Sequence, residues 1–105
     1  MRRRFVLTPE AKSDLREILL GIAEDSPAAA GRLRSGIYEA FQRLGKSPGI
    51  GHYHDELLDR RYRFCNFSTY YIVCYVWERK PIRIIAVVHG ARHLESFFNS
   101  RLNRE

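Results

Sequence analysis

The hydrophobic positions of this 105-residue chain repeat first with one period and then with another. Between residues 9 and 24, Ala11, Leu15, Ile18, Leu19 and Ile22 recur three and four apart, which predicts one face of a helix. Lys12, Ser13, Asp14, Arg16 and Glu17 fall between them and read as a solvated face. Thr8-Pro9-Glu10 supplies the start: an N-cap, a proline at the first helical position and an acid in the first turn. Asp25-Ser26-Pro27 repeats that signal, and Ala30, Leu33, Ile37, Ala40, Phe41 and Leu44 carry a second helix over 27–44. The short link makes the two an antiparallel hairpin. Gly45, Ser47-Pro48-Gly49 and Gly51 then punctuate residues 45–56.

Beyond residue 60 the period falls to two. Arg61, Arg63 and Cys65 alternate with Tyr62 and Phe64, predicting a strand with one basic and one aromatic face. Ser68-Thr69 reads as a turn, 71–77 as the next strand, and Glu78-Arg79-Lys80-Pro81 as a charged turn. The run Ile82-Arg83-Ile84-Ile85-Ala86-Val87-Val88 predicts a buried strand, with Arg83 its one charge. A short strand at 3–7 precedes the helices, and a short helix within 93–102 folds Leu94, Phe97 and Phe98 back. The predicted architecture is α+β: an N-terminal strand, then an antiparallel helical hairpin packed on an antiparallel sheet, and a short C-terminal helix. All of it is a single domain over residues 1–105.

Composition narrows the function. An apolar fraction of 45% excludes a disordered chain. The net charge of +6 favours an anionic partner such as nucleic acid or an acidic protein segment. Phe5-Val6-Leu7, after Met1-Arg2-Arg3-Arg4, is too short for a signal-peptide core, and no segment reads as a membrane span, so a cytoplasmic location is expected. Cys65 and Cys74 read as small core hydrophobes of a reduced compartment. His52 and His54 read as loop residues, with no partners at metal-ligand spacing, so neither a metal nor a cofactor is expected.

The strongest strand ends on His89-Gly90-Ala91-Arg92-His93, which brings two imidazoles and a guanidinium to one end of a sheet. Together with Leu7-Thr8-Pro9-Glu10-Ala11, Asp14-Leu15, Ile18, Ser47-Pro48, Gly51, Leu57, Tyr71-Ile72-Val73, Tyr75 and Val88-His89-Gly90-Ala91-Arg92, this order resembles the ParE branch of the RelE/ParE toxin superfamily. The resemblance runs from about Phe5 to Phe98. It implies a toxin of a bacterial toxin–antitoxin pair of the plasmid-stabilising kind. The toxin would be neutralised by a ParD-like antitoxin whose C-terminal segment wraps it.

Two chemistries share that fold. RelE-like members cut mRNA on the ribosome, which needs a base for the 2′-hydroxyl, cations over the phosphate and an acid for the leaving oxygen. By resemblance, Arg63 matches a strand base and Arg92 the arginine after the last strand. Cys65, Tyr71 or Ile72, and Phe98 stand where the other groups are expected. His89 and His93 keep an imidazole route open, so the nuclease set is Arg63, His89, Arg92 and His93. ParE-like members instead bind DNA gyrase, which needs a surface rather than an acid–base set. Arg61, Arg63, Tyr71, Tyr75, Arg83 and Arg92 are its candidates. The depleted nuclease set favours gyrase inhibition; the alternatives are a ribosome-dependent endonuclease and a toxin fold that has lost toxicity.

Overall fold

The computed structural model describes residues 4–53, 60–68, 70–90 and 94–102. Helix α1 spans Pro9–Asp25 and begins where expected, with the Thr8 hydroxyl accepting a hydrogen bond from the Ala11 N–H at 3.1 Å. Ser26 serves both helices. Its N–H donates to Ile22 O at the end of α1, and its hydroxyl accepts from the Ala29 N–H at the start of α2, Pro27–Lys46. Helix α2 runs two residues past the predicted end because Gly45 is a close approach and not a stop. A Cβ there would fall 2.5 Å from the Arg4 carbonyl oxygen.

Strands β1 (Phe5–Leu7), β2 (Tyr62–Phe67), β3 (Tyr71–Val76) and β4 (Ile82–His89) form one sheet in the order β1-β4-β3-β2. The last three make the expected antiparallel meander. The expectation of a wholly antiparallel sheet is corrected at β1, which pairs with β4 in parallel, Phe5 opposite Ile82 and Leu7 opposite Ile84. The helical hairpin, β2 and β3 all lie between them, a connection long enough to bring β4 back in the same direction. Ser68, at φ 57°, turns the chain after β2; its expected turn partner Thr69 lies outside the described residues.

Both faces of the sheet are covered. Leu15, Ile37 and Phe41 of the hairpin pack on Val73, Tyr75 and Ile84. On the other face, α3 (Leu94–Leu102) sets Phe98 against Phe64, Ala86 and Val88. Strand β4 is therefore buried from Ile82 to Val88 except at half-buried Arg83, as its β-branched run predicts. A register shift opposite Cys74 and Tyr75 leaves Ile85 as an extra residue in β4.

That bulge falls where β1 ends and the β4 edge would be left unpaired. Asp14 and Arg101 occupy the gap. The Val87 N–H donates to Asp14 Oδ2 at 3.1 Å, and Arg101 donates to Ile85 O at 3.0 Å. The guanidinium also binds both carboxylate oxygens, at 2.9 and 3.0 Å. Asp14 is thus not part of the solvated face its neighbours suggested. It joins α1, β4 and α3.

Candidate functional site

Arg63 is held on several sides. Its guanidinium carbon sits 4.3 Å from the Trp77 ring and 4.4 Å from the Tyr53 ring. One terminal nitrogen donates to Gly51 O at 2.7 Å and the other to the Tyr53 hydroxyl at 3.3 Å. Arg60 lies 4.4 Å from the same Tyr53 ring, and the Trp77 Nε1–H donates to Arg60 O at 3.0 Å. Two rings and two guanidinium groups therefore form one stacked column beside β2. Sequence reasoning missed Tyr53, Arg60 and Trp77, because the contacts join residues 10 to 17 apart with no local periodicity.

The strap that reaches Tyr53 is pinned at several points. His52 and Phe64 exchange both backbone hydrogen bonds, at 2.8 and 2.7 Å, extending the β2 edge. The Tyr75 hydroxyl donates to Pro48 O at 2.6 Å and accepts from the Gly51 N–H at 3.0 Å. Tyr75 is fully buried, which corrects its assignment to a target-binding surface: both its ring and its hydroxyl are used inside the fold. Gly51 fits because a Cβ would lie 2.9 Å from Phe64 O and press on the Tyr75 hydroxyl.

Tyr75→Phe is expected to cost about 1–3 kcal/mol in urea unfolding, since it strands a buried donor and acceptor. The same site gives stability a pH dependence. Burial raises the Tyr75 phenol above its ordinary 10.0, against the Gly51 hydrogen bond, and raises the Cys65 thiol above 9.0, against the Arg43 charge. Both groups ionise more readily unfolded, so what they contribute to stability is fully present well below pH 9.0 and is lost as pH rises through these values. The urea midpoint of the wild type should drop by more than that of Tyr75→Phe from roughly pH 9 to pH 11, a unit either side of the ordinary phenol value of 10.0.

The other candidates separate into two places. At the far end of the sheet His89 is exposed, with Tyr70 stacked beside it at 6.1 Å and 11° and half-buried Tyr71 edge-on at 5.6 Å and 86°. On the face covered by α3, Arg83 pairs across to Val6 and Val76; just before β2, exposed Arg61 holds its guanidinium 5.4 Å from the Tyr62 ring. Arg92, His93 and His54 lie outside the described residues.

A cutting site needs its groups around one phosphate. Arg63 stands opposite Tyr75 and His89 opposite Tyr71, four residues apart on β3. That is about 13 Å along the strand, so Arg63 and His89 do not converge. Cys65 and Cys74 occupy neighbouring strands, where they pair with Val73 and Phe64, but point to opposite faces and are not bridged. Among the described residues no three His, Cys, Asp or Glu side chains gather, and no helix is long and apolar enough to cross a membrane.

The hairpin also carries an apolar groove of about 380 Å³, floored by Leu15, Leu19, Ala23 and Tyr38 and rimmed by Lys12, Arg16 and Arg34. Leu20 on its lip is 57% exposed. No curated protein gives a significant match to the chain. A family model described as the ParE toxin of type II toxin–antitoxin system, parDE, matches residues 5–94. Set beside the strand–hairpin–meander order, the match means that this chain belongs to the ParE toxin family of type II toxin–antitoxin systems.

Proposed function

We propose that the chain inhibits DNA gyrase by binding it, in the cytoplasm, without hydrolysing a substrate of its own. The observation that carries this reading is the fate of Arg63. Its guanidinium is held between Tyr53 and Trp77 and stands about four residues of strand away from His89. Arg61, exposed just before β2, and Arg83, on the α3 face, offer the cationic contacts such binding uses, and Arg92 follows them in sequence after β4. Tyr71 joins as an aromatic neighbour of His89.

A ParD-like antitoxin is the natural occupant of the hairpin groove. An amphipathic acidic segment would bury its apolar residues on Leu15, Leu19 and Leu20 and place its charges against Lys12, Arg16 and Arg34.

The test is supercoiling by purified gyrase with the toxin at several-fold molar excess. The expected result is loss of supercoiling with cleaved DNA accumulating, and recovery when antitoxin is added. Unimpaired supercoiling, together with new 5′ ends on translated mRNA, would replace this reading with the endonuclease built on His89, Arg92 and His93.

A further inference from the structure

Charge is not spread evenly over this molecule. We propose that the end of the sheet where β1, β2 and β4 begin and β3 finishes is a docking surface for the phosphate backbone of duplex DNA. Binding there requires no gyrase.

The topology gathers cations at that end from four separate stretches of sequence. Arg4 precedes β1, and its carbonyl accepts the Ile82 N–H at 3.2 Å. Arg60 and Arg61 precede β2, and Arg79 and Lys80 lie in the β3–β4 turn. Lys46 ends α2, next to the Gly45 that lies against Arg4. All six side chains are exposed. Among the described residues of these four stretches Glu78 is the one acid. Neighbours in sequence beyond the described residues nearly cancel, Arg2 and Arg3 against Asp55, Glu56 and Asp59. Of the acids of α1, Glu10 follows the opposite end of β1, Asp14 meets Val87 well along β4, and the helix carries Glu17, Glu24 and Asp25 beyond it.

The geometry selects duplex backbone over other polyanions. Single strands bind by stacking bases on open rings. Here the rings are taken: Tyr53 by Arg60 and Arg63, Trp77 by Arg63, and buried Tyr62 by Arg61. An acidic peptide needs apolar anchor pockets, and the groove that has them is on the hairpin. The exposed apolar side chains nearest this end, Val6 and Ile50, stand singly on separate elements.

Arg60 is exposed while its guanidinium carbon rests 4.4 Å from the Tyr53 ring, and its fork suits phosphate oxygens. Four strands spaced about 4.8 Å apart set the cations over roughly 14 Å, close to four base-pair steps.

The experiment is fluorescence anisotropy of the free toxin with a labelled duplex of about two turns, titrated over a range of salt concentrations. Binding should weaken steeply with salt, with a log–log slope of about −4 to −5. Arg79→Glu with Lys80→Glu should weaken binding at least about tenfold at low salt and flatten the slope by about 2. Ala28→Glu, Arg32→Glu and Ser35→Glu together lower the net charge equally from exposed positions on α2 outside the groove and should leave affinity within about twofold. Melting curves would establish that both variants fold. Equal losses from the two variants, no binding to the duplex, or tighter binding to a single strand or to polyglutamate would each overturn the assignment.

Discussion

Phe98→Ala is expected to lower stability by about 3–5 kcal/mol, the usual cost of emptying a buried phenylalanine site. Phe98 is fully buried and meets Phe64 edge-on at 4.9 Å and 72°, and Phe97 at 5.5 Å and 87°. Helix α3 has only nine residues, too few to hold together without tertiary contacts. Losing its anchor should therefore free the whole helix and uncover Ala86 and Val88 on the sheet. Since a domain of this size has about 5–15 kcal/mol in all, this loss would approach the limit of folding. Thermal melts measure the total. Amide exchange should show α3 opening before the hairpin. Phe98→Leu, which keeps much of the volume, should cost well under half as much. A loss below about 1 kcal/mol in Phe98→Ala would mean that α3 packing is not part of the cooperative structure.

The second large effect concerns Asp14. Asp14→Ala should cost about 3–5 kcal/mol, because it removes one partner of an ion pair that is largely out of water. The Arg101 and Asp14 side chains are 11% and 14% exposed, so screening by solvent is weak. The change also strands the Val87 N–H, which has Asp14 as its acceptor at the open stretch of the β4 edge. Asp14→Asn retains an acceptor for Val87 and should be milder. Pairing Asp14→Ala with Arg101→Met tests the coupling: the double variant should be more stable than the sum of the single losses predicts. Strict additivity in that cycle would show that the carboxylate and guanidinium do not act as a unit.

These two sites differ in how far the sequence announced them. Phe98 was visible, because a short apolar cluster after a turn has to fold back onto something. Asp14 was hidden. In its own helix it sits among Lys12, Ser13, Arg16 and Glu17, and its partner Arg101 is 87 residues away. The same holds for Arg63. An alternating strand places it on a basic face, but only the arrival of Tyr53 and Trp77 from other elements turns that base into a clamp. Tyr75 was misplaced for a related reason: its hydroxyl is satisfied by Pro48 and Gly51 from a strap whose path the sequence does not specify.

Period and capping by themselves determined both long helices, the meander and the burial of β4, since a 3.6- or 2-residue repeat dictates which face of an element leaves water. They also carried the order of elements by which the ParE family is recognised. Tertiary structure alone decided the parallel seating of β1, the Asp14–Arg101 bridge across the bulged edge, and the cationic end of the sheet. Each of these depends on groups brought together from distant parts of the chain. A repeat tells a side chain which way to face, but the partner it meets there is set by how the elements cross in space.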